Sequence, residues 1–235
     1  MSKHQKSLSS PKTYPIKRKE RPWTIKPSPG PHSEENCIPL GIIIRDVLEY
    51  AENISEVKKV LEEGKCEIDG KVVRDHRFPV GIFDSLRLGE KYFRIIPHKK
   101  GFKLININKK DAGKKLCRIE DKKTVDGGKL QIIFNDGKSI MTHDEELMNL
   151  QTGTSVILSV PEKKCTETIK SEKGKEVMIT NGKNRGAVAS FEERKVLKGS
   201  RENRIIVSQE GKKIDLPEDI VFPIDTEKIK IEEQK

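Results

Sequence analysis

Long apolar runs are missing from this 235-residue sequence. None approaches the roughly 20 consecutive residues that a membrane-crossing helix needs, so no membrane partner is expected. The N-terminus is basic but has no apolar stretch behind it, which argues against a secretory leader. Cysteine is sparse: Cys37, Cys66, Cys117 and Cys165 are unevenly spaced and form no CxxC pair. That spacing argues against zinc and dithiol motifs and fits reduced thiols in a cytoplasmic protein. Aromatic residues make up 5% of the chain and hydrophobic residues 33%, too little for one large core. Several small β-rich modules joined by solvated surface fit that composition better.

Catalytic patterns are missing as well. His4, His32, His76, His98 and His143 share no ligand spacing, and no HExxH, GxSxG or Walker-type GxxxxGK pattern occurs. The run Gly182–Gly186 looks superficially like a phosphate loop, but it lacks the Walker spacing and precedes a strand-like stretch instead of a helix. Asp69 and Asp75 sit near a turn, where solvated acids are ordinary. The expectation is a protein with no catalysis, metal, cofactor or small-molecule substrate.

What the chain has is positive charge: 47 Lys and Arg against 37 Asp and Glu, a net +10. A basic excess suits a polyanionic partner, because each cation near a phosphate releases counterions. Most of the excess is at one end. Lys3, Lys6, Lys12, Lys17, Arg18, Lys19, Arg21 and Lys26 face a single acid, Glu20, in the first 26 residues. Seven of the 12 prolines fall between Pro11 and Pro39 and oppose regular hydrogen bonding there. A basic, proline-rich segment without apolar periodicity predicts an arm (1–37) that does not fold on itself. Such an arm becomes ordered by lying along phosphates, with Tyr14 and Trp23 available to stack or wedge. The C-terminal tail (224–235) mixes four acids with three lysines and is not a second arm.

Behind the arm, residues 38–100 read as a compact α+β module. Ile43, Val47, Leu48 and Ala51 lie at helical spacing, and so do Val57, Val60 and Leu61. Asn53 with Glu56 predicts an N-cap and Gly64 a C-terminal stop. Asp69-Gly70 predicts a two-residue hairpin, and a strand is expected over Tyr92–Ile96. Residues 101–165 alternate as a small β-rich domain, with a short helix expected over Thr142–Leu150. Residues 170–223 hold short strands with Gly-rich turns, the pattern of a small SH3-like barrel. The expected class is therefore α+β and multi-module.

Three stretches resemble one family, the archaeal and eukaryotic type of small-subunit ribosomal protein four. The first is Trp23, Pro27–His32 (PSPGPH) and Ile38–Leu40 (IPL). The second is Arg45–Ala51 (RDVLEYA), Glu56–Lys59 (EVKK), Ile68–Asp75 (IDGKVVRD) and Phe78–Gly81 (FPVG), which resembles the alpha-L RNA-binding motif. The third is Val177–Val188 (VMITNGKNRGAV), which resembles a KOW motif except that Asn181 stands where Gly or a small residue is usual.

The resemblance implies binding of folded small-subunit ribosomal RNA and contacts with neighbouring small-subunit proteins, as a monomer within a cytoplasmic ribosome. In an alpha-L module the phosphate-facing candidates are Arg45, Lys58, Lys59, Lys65, Lys71, Arg74 and Arg77. In the KOW loop they are Gly182, Lys183, Asn184, Arg185 and Gly186. The glycines permit close backbone approach, the cations supply charge, and Asn184 either joins them or only holds the turn. Two other readings compete: an RNA-modifying enzyme that borrows an alpha-L grip, and a transcription or translation factor. The small β modules of 101–235 offer the first no catalytic domain, and the long basic arm counts against the second.

Overall fold

The computed structural model describes residues 4–125, 127–142, 144–162, 164–197, 199, 202–209 and 211–226. The chain is mostly β with few helices, and divides into two compact units, Met1–Ile96 with Lys100–Gly113 and Pro97–Lys99 with Lys114–Lys235.

In the first unit, helix α1 (Leu40–Ile42) widens into a π-helical turn over Ile43–Val47. Its apolar face buries Leu40, Ile42, Ile43 and Ile44 completely. Glu49 ends it with φ +54°, so Ala51, expected on the helix, lies beyond it. Helix α2 (Ile54–Glu62) has the expected cap: Asn53 accepts from the Glu56 amide at 2.9 Å, and Glu56 reaches back to the Glu52 amide at 2.8 Å. A cap of this kind is worth about 1 kcal/mol. Val57 and Leu61 are fully buried, which leaves Lys58 and Lys59 in solvent.

Strands β1 (Gln5–Lys6) and β2 (Trp23–Thr24) pair with each other, and β3 (Cys37–Pro39) pairs with β6 (Pro79–Gly81). The main sheet runs β5-β4-β7-β8-β9, with β4 Cys66–Ile68, β5 Lys71–Val72, β7 Ser85–Leu88, β8 Lys91–His98 and β9 Gly101–Ile107. Asp69 (φ +51°) and Gly70 (φ +69°) make the expected β4–β5 turn. Both central residues at positive φ match the right-handed twist of a hairpin. Because β9 adjoins β8, this sheet continues past residue 100 to Ile107, before a short helix α3 (Lys109–Ala112).

The basic segment does not stand free, contrary to the expectation that it cannot fold on itself. Tyr14 and Ile25 belong to the first unit's core, and Ile16 packs half-buried against it. The Arg18 guanidinium donates to the carbonyls of Ser10 (3.0 Å) and Pro11 (2.6 Å), and more distantly to that of Leu8. Arg77 Nε donates to the Lys26 carbonyl at 3.0 Å, and the Ser28 amide donates to the Arg77 carbonyl at 2.8 Å. Extended chain buries single residues at irregular intervals, so periodicity does not reveal its anchors.

The second unit holds two antiparallel sheets. One runs β12-β11-β10-β13-β14: β10 Lys114–Val125, β11 Lys129–Phe134, β12 Ser139–Thr142, β13 Ser155–Ser159 and β14 Cys165–Ile169. Helix α4 (Glu145–Met148) lies within the expected stretch. Lys122 Nζ donates to the Met148 carbonyl at 2.9 Å and to the Leu150 carbonyl, satisfying acceptors at the end of α4. The other sheet runs β18-β17-β16-β15-β19: β15 Glu176–Ile179, β16 Val188–Lys195, β17 Arg204–Gln209, β18 Lys212–Pro217 and β19 Val221–Pro223. Arg118 ties the two together. Its Nη1 donates to the carbonyls of Glu218 (3.0 Å), Asp219 and Val221, and its guanidinium lies over the Phe222 ring.

Candidate nucleic-acid interface

The first unit sets its basic residues on α2, the β4–β5 hairpin and the segment that follows. Lys58, Lys59, Lys71 and Arg74 are exposed, and among the described residues their side chains make no hydrogen bond or ion pair. Arg74 reaches over the end of α2: a Cβ placed on Gly64 would sit 3.7 Å from its Nη2. His76 is half-buried. Burial lowers its pKa, and although Asp75 opposes this, Lys58 and Arg77 push the same way. The cations around His76 thus disfavour a further charge on its ring.

Other candidates are already engaged. Arg45 grips Asp46 through two hydrogen bonds of 2.9 and 2.7 Å. Lys65 pairs with Glu63 at 2.8 Å and Lys17 with Glu20 at 3.0 Å, both in solvent where such pairs are weak and exchangeable. Arg18 and Arg77 spend hydrogen bonds on the backbone of the N-terminal segment. Lys6, Lys12, Lys19 and Arg21 are exposed, Lys26 is half-buried, and Lys3 lies outside the described residues. Trp23 is 55% exposed, with the His4 ring edge-on at 5.9 Å.

In the second unit, the turn after β15 divides its residues. Gly182 (φ +82°) has open space around it, the Asn181 side chain accepts from its amide at 2.8 Å, and Lys183 is exposed. Asn184 holds the turn, its carbonyl accepting from the Ala187 amide at 3.1 Å. Arg185 is buried, 6% exposed, and desolvation lowers its pKa. Gly186 (φ +80°) permits a close approach to its own chain: a Cβ there would meet the backbone of Pro97 and His98 at 2.8 Å. Lys183 is the cation of this turn that faces solvent. No group of three or more His, Cys, Asp or Glu side chains forms a metal site among the described residues.

Comparison with known proteins gives a consistent result. A family model described as "Ribosomal family S4e" matches residues 89–165, and "RS4NT (NUC023) domain" matches residues 1–35. The small ribosomal subunit protein eS4 of Archaeoglobus fulgidus is 39% identical over 223 residues, covering 94% of this chain and 92% of that protein. That of Staphylothermus marinus is 39% identical over 237 residues, covering 96% and 93%. The chain belongs to the S4e family of ribosomal proteins.

The S4e fold agrees. The crystal structure of 30S ribosomal protein S4e from Thermoplasma acidophilum superimposes with a TM-score of 0.68 at 26% identity, covering 80% of this chain and 95% of that one. In this S4e chain the sequence reading passed over Lys99, Lys109 and Lys110, all exposed. Their signal was adjacency, since Lys99 precedes Lys100 in the β8–β9 turn and Lys109 precedes Lys110 in α3. It also passed over Arg118 and Lys115, whose strand positions gave no hint that their charges are buried.

Proposed function

We propose that this chain is a structural constituent of the small ribosomal subunit, in the cytoplasm, where it binds and stabilises folded small-subunit ribosomal RNA and supports assembly and translation. It is not an enzyme. Residues 38–100 act as an alpha-L RNA-binding module behind the basic segment 1–37. Residues 101–165 form a β-rich middle domain, and 170–223 a KOW-type, SH3-like barrel followed by the tail 224–235. Within the subunit the chain is a monomer, touching RNA and neighbouring ribosomal proteins.

The observation that carries this reading is the set of cations Lys58, Lys59, Lys71 and Arg74, unpaired among the described residues and contributed by α2, the adjoining hairpin and the segment that follows it. Cations without internal partners are free to replace phosphate counterions, and they read backbone shape in preference to sequence. Lys6, Lys12, Lys19 and Arg21 extend the footprint along the N-terminal segment, and Lys183 with Gly182 adds a contact from the second unit. Lys17 and Lys65 exchange their acidic neighbours for phosphate. Arg18, Arg45, Arg77 and Arg185 contribute chiefly by holding the fold.

Sedimentation tests it. The protein in native lysate is expected to migrate with the small subunit and to stay there through a high-salt wash. Migration in the light fractions, or release at modest salt, would mean a transient factor.

A further inference from the structure

Trp23 is the chain's sole tryptophan and one of its most exposed large apolar side chains. A single exposed indole is ordinary in itself; this one is set apart by the two clefts that it walls. It is held firmly. β2 pairs with β1 at Lys6–Trp23, the Ser7 amide donates to the Pro22 carbonyl at 3.0 Å, and His4 meets the indole edge-on.

Two clefts share this indole as a wall. One, of about 500 Å³, includes Lys6 and Lys26. The other, of about 250 Å³, lies against the end of α1 and includes Arg21 and Glu49. The other charges of that second cleft pair off internally, Lys17 with Glu20 and Arg45 with Asp46. Arg21 and Glu49 have no partner among the described residues, so a donor and an acceptor stand free beside the indole. Glu49 also has φ +54°, a conformation that disfavours any residue with a side chain and that recurs where a ligand is clamped.

A phosphate suits the Lys6 side, whereas the carboxylate of Glu49 repels it from the other. An aromatic surface beside one free donor and one free acceptor suits a nucleobase that carries both an exocyclic amine and a carbonyl oxygen. We propose that this cleft takes an unpaired, amino-bearing RNA base. Its ring stacks on Trp23, its exocyclic amine donates to Glu49, and Arg21 donates to its carbonyl oxygen. The inference rests on the ribosomal-RNA reading above and deepens it, adding one point of base recognition to a surface that otherwise reads phosphates.

The test uses the full-length protein and eight-nucleotide single strands of cytidine or uridine, pyrimidines of similar size that differ at the exocyclic position. Oligocytidylate is expected to quench the single tryptophan and to bind about tenfold tighter than oligouridylate, the worth of one hydrogen bond to a charged group. Glu49→Gln should bring that ratio close to one, because the amide can also donate to uracil. Trp23→Phe should keep the ratio and weaken both, with circular dichroism checking that each variant folds. Equal affinities, or a ratio that Glu49→Gln leaves unchanged, would overturn the proposal. Tryptophan emission unmoved by either oligomer would also overturn it. If the protein still sedimented with the small subunit through the salt wash, only the base-recognition inference would have failed.

Discussion

His32 Nε2 lies 3.0 Å from Asp84 Oδ2, and both side chains are almost wholly buried, 4% and 1% exposed. His32 comes from the proline-rich segment and Asp84 from the loop after β6, so the contact fastens the segment to the module. The same carboxylate oxygen accepts from the Gly81 amide at 2.8 Å. Gly81 has no side chain because the His32 ring occupies that space, and an added Cβ would overlap it. Asp84→Ala strands buried polar groups and should lower stability by about 3 kcal/mol in denaturant titration. Asp84→Asn keeps an acceptor and should lose less.

The N-terminal segment should be ordered before any RNA arrives. In hydrogen exchange of the free protein, the amides of Tyr14 and Ile16, which donate to Pro11 and Tyr14 carbonyls at 3.1 and 2.9 Å, should be slowed well below random-coil rates. Arg18→Ala removes the cross-tie and should accelerate exchange over residues 10–18. Random-coil rates there in the native protein would show that the packing of Tyr14 does not persist in solution.

Acid should act through Asp136. Burial raises the pKa of this carboxyl, but Lys115 at 2.9 Å and Lys138 at 3.1 Å outweigh it and hold the pKa below the ordinary value. A carboxyl depressed in the folded state contributes stability above its unfolded pKa of about 4, and that contribution disappears as pH falls through the folded value. Denaturation midpoints measured from pH 7 to pH 3 should therefore fall more steeply for the native protein than for Asp136→Asn. At neutral pH the variant should be less stable by about 3 kcal/mol, since it removes the carboxylate charge from beside the buried Lys115 ammonium.

Free and engaged cations should behave differently toward RNA. Replacing Lys58, Lys59, Lys71 and Arg74 with Ala one at a time should each reduce the slope of log affinity against log salt by up to about 0.9. Arg185→Ala should leave that slope alone and lower the melting temperature instead. Equal slope changes for Arg185 and Lys58 would mean that Arg185 leaves its buried position on binding.

Much of the first unit was legible because its signals are local. Asn53 with Glu56, and Asp69 with Gly70, each dictate a backbone geometry within a few residues, and the structure has both. The unread parts depend on distant partners. Tyr14 and Ile25 looked like isolated apolar residues in a basic stretch until the core that covers them was visible. Strands β14 and β19 were missed because Cys165–Ile169 is mostly polar and Val221–Pro223 is short and ends in proline. In the candidate interface, sequence supplies which residues carry charge but not which charges are consumed. Arg45 and Arg185 read like Lys58 until Asp46 and the burial of Arg185 are seen.

The carbonyls that Arg118 holds lie 100 to 103 residues further along the chain. During synthesis β10 emerges about 100 residues before Glu218–Val221, so the Arg118 guanidinium lacks these acceptors until that later segment has been made. Closure of the second unit thus waits on Glu218–Val221, and a chain truncated before residue 218 would lack the carbonyls that hold this buried cation.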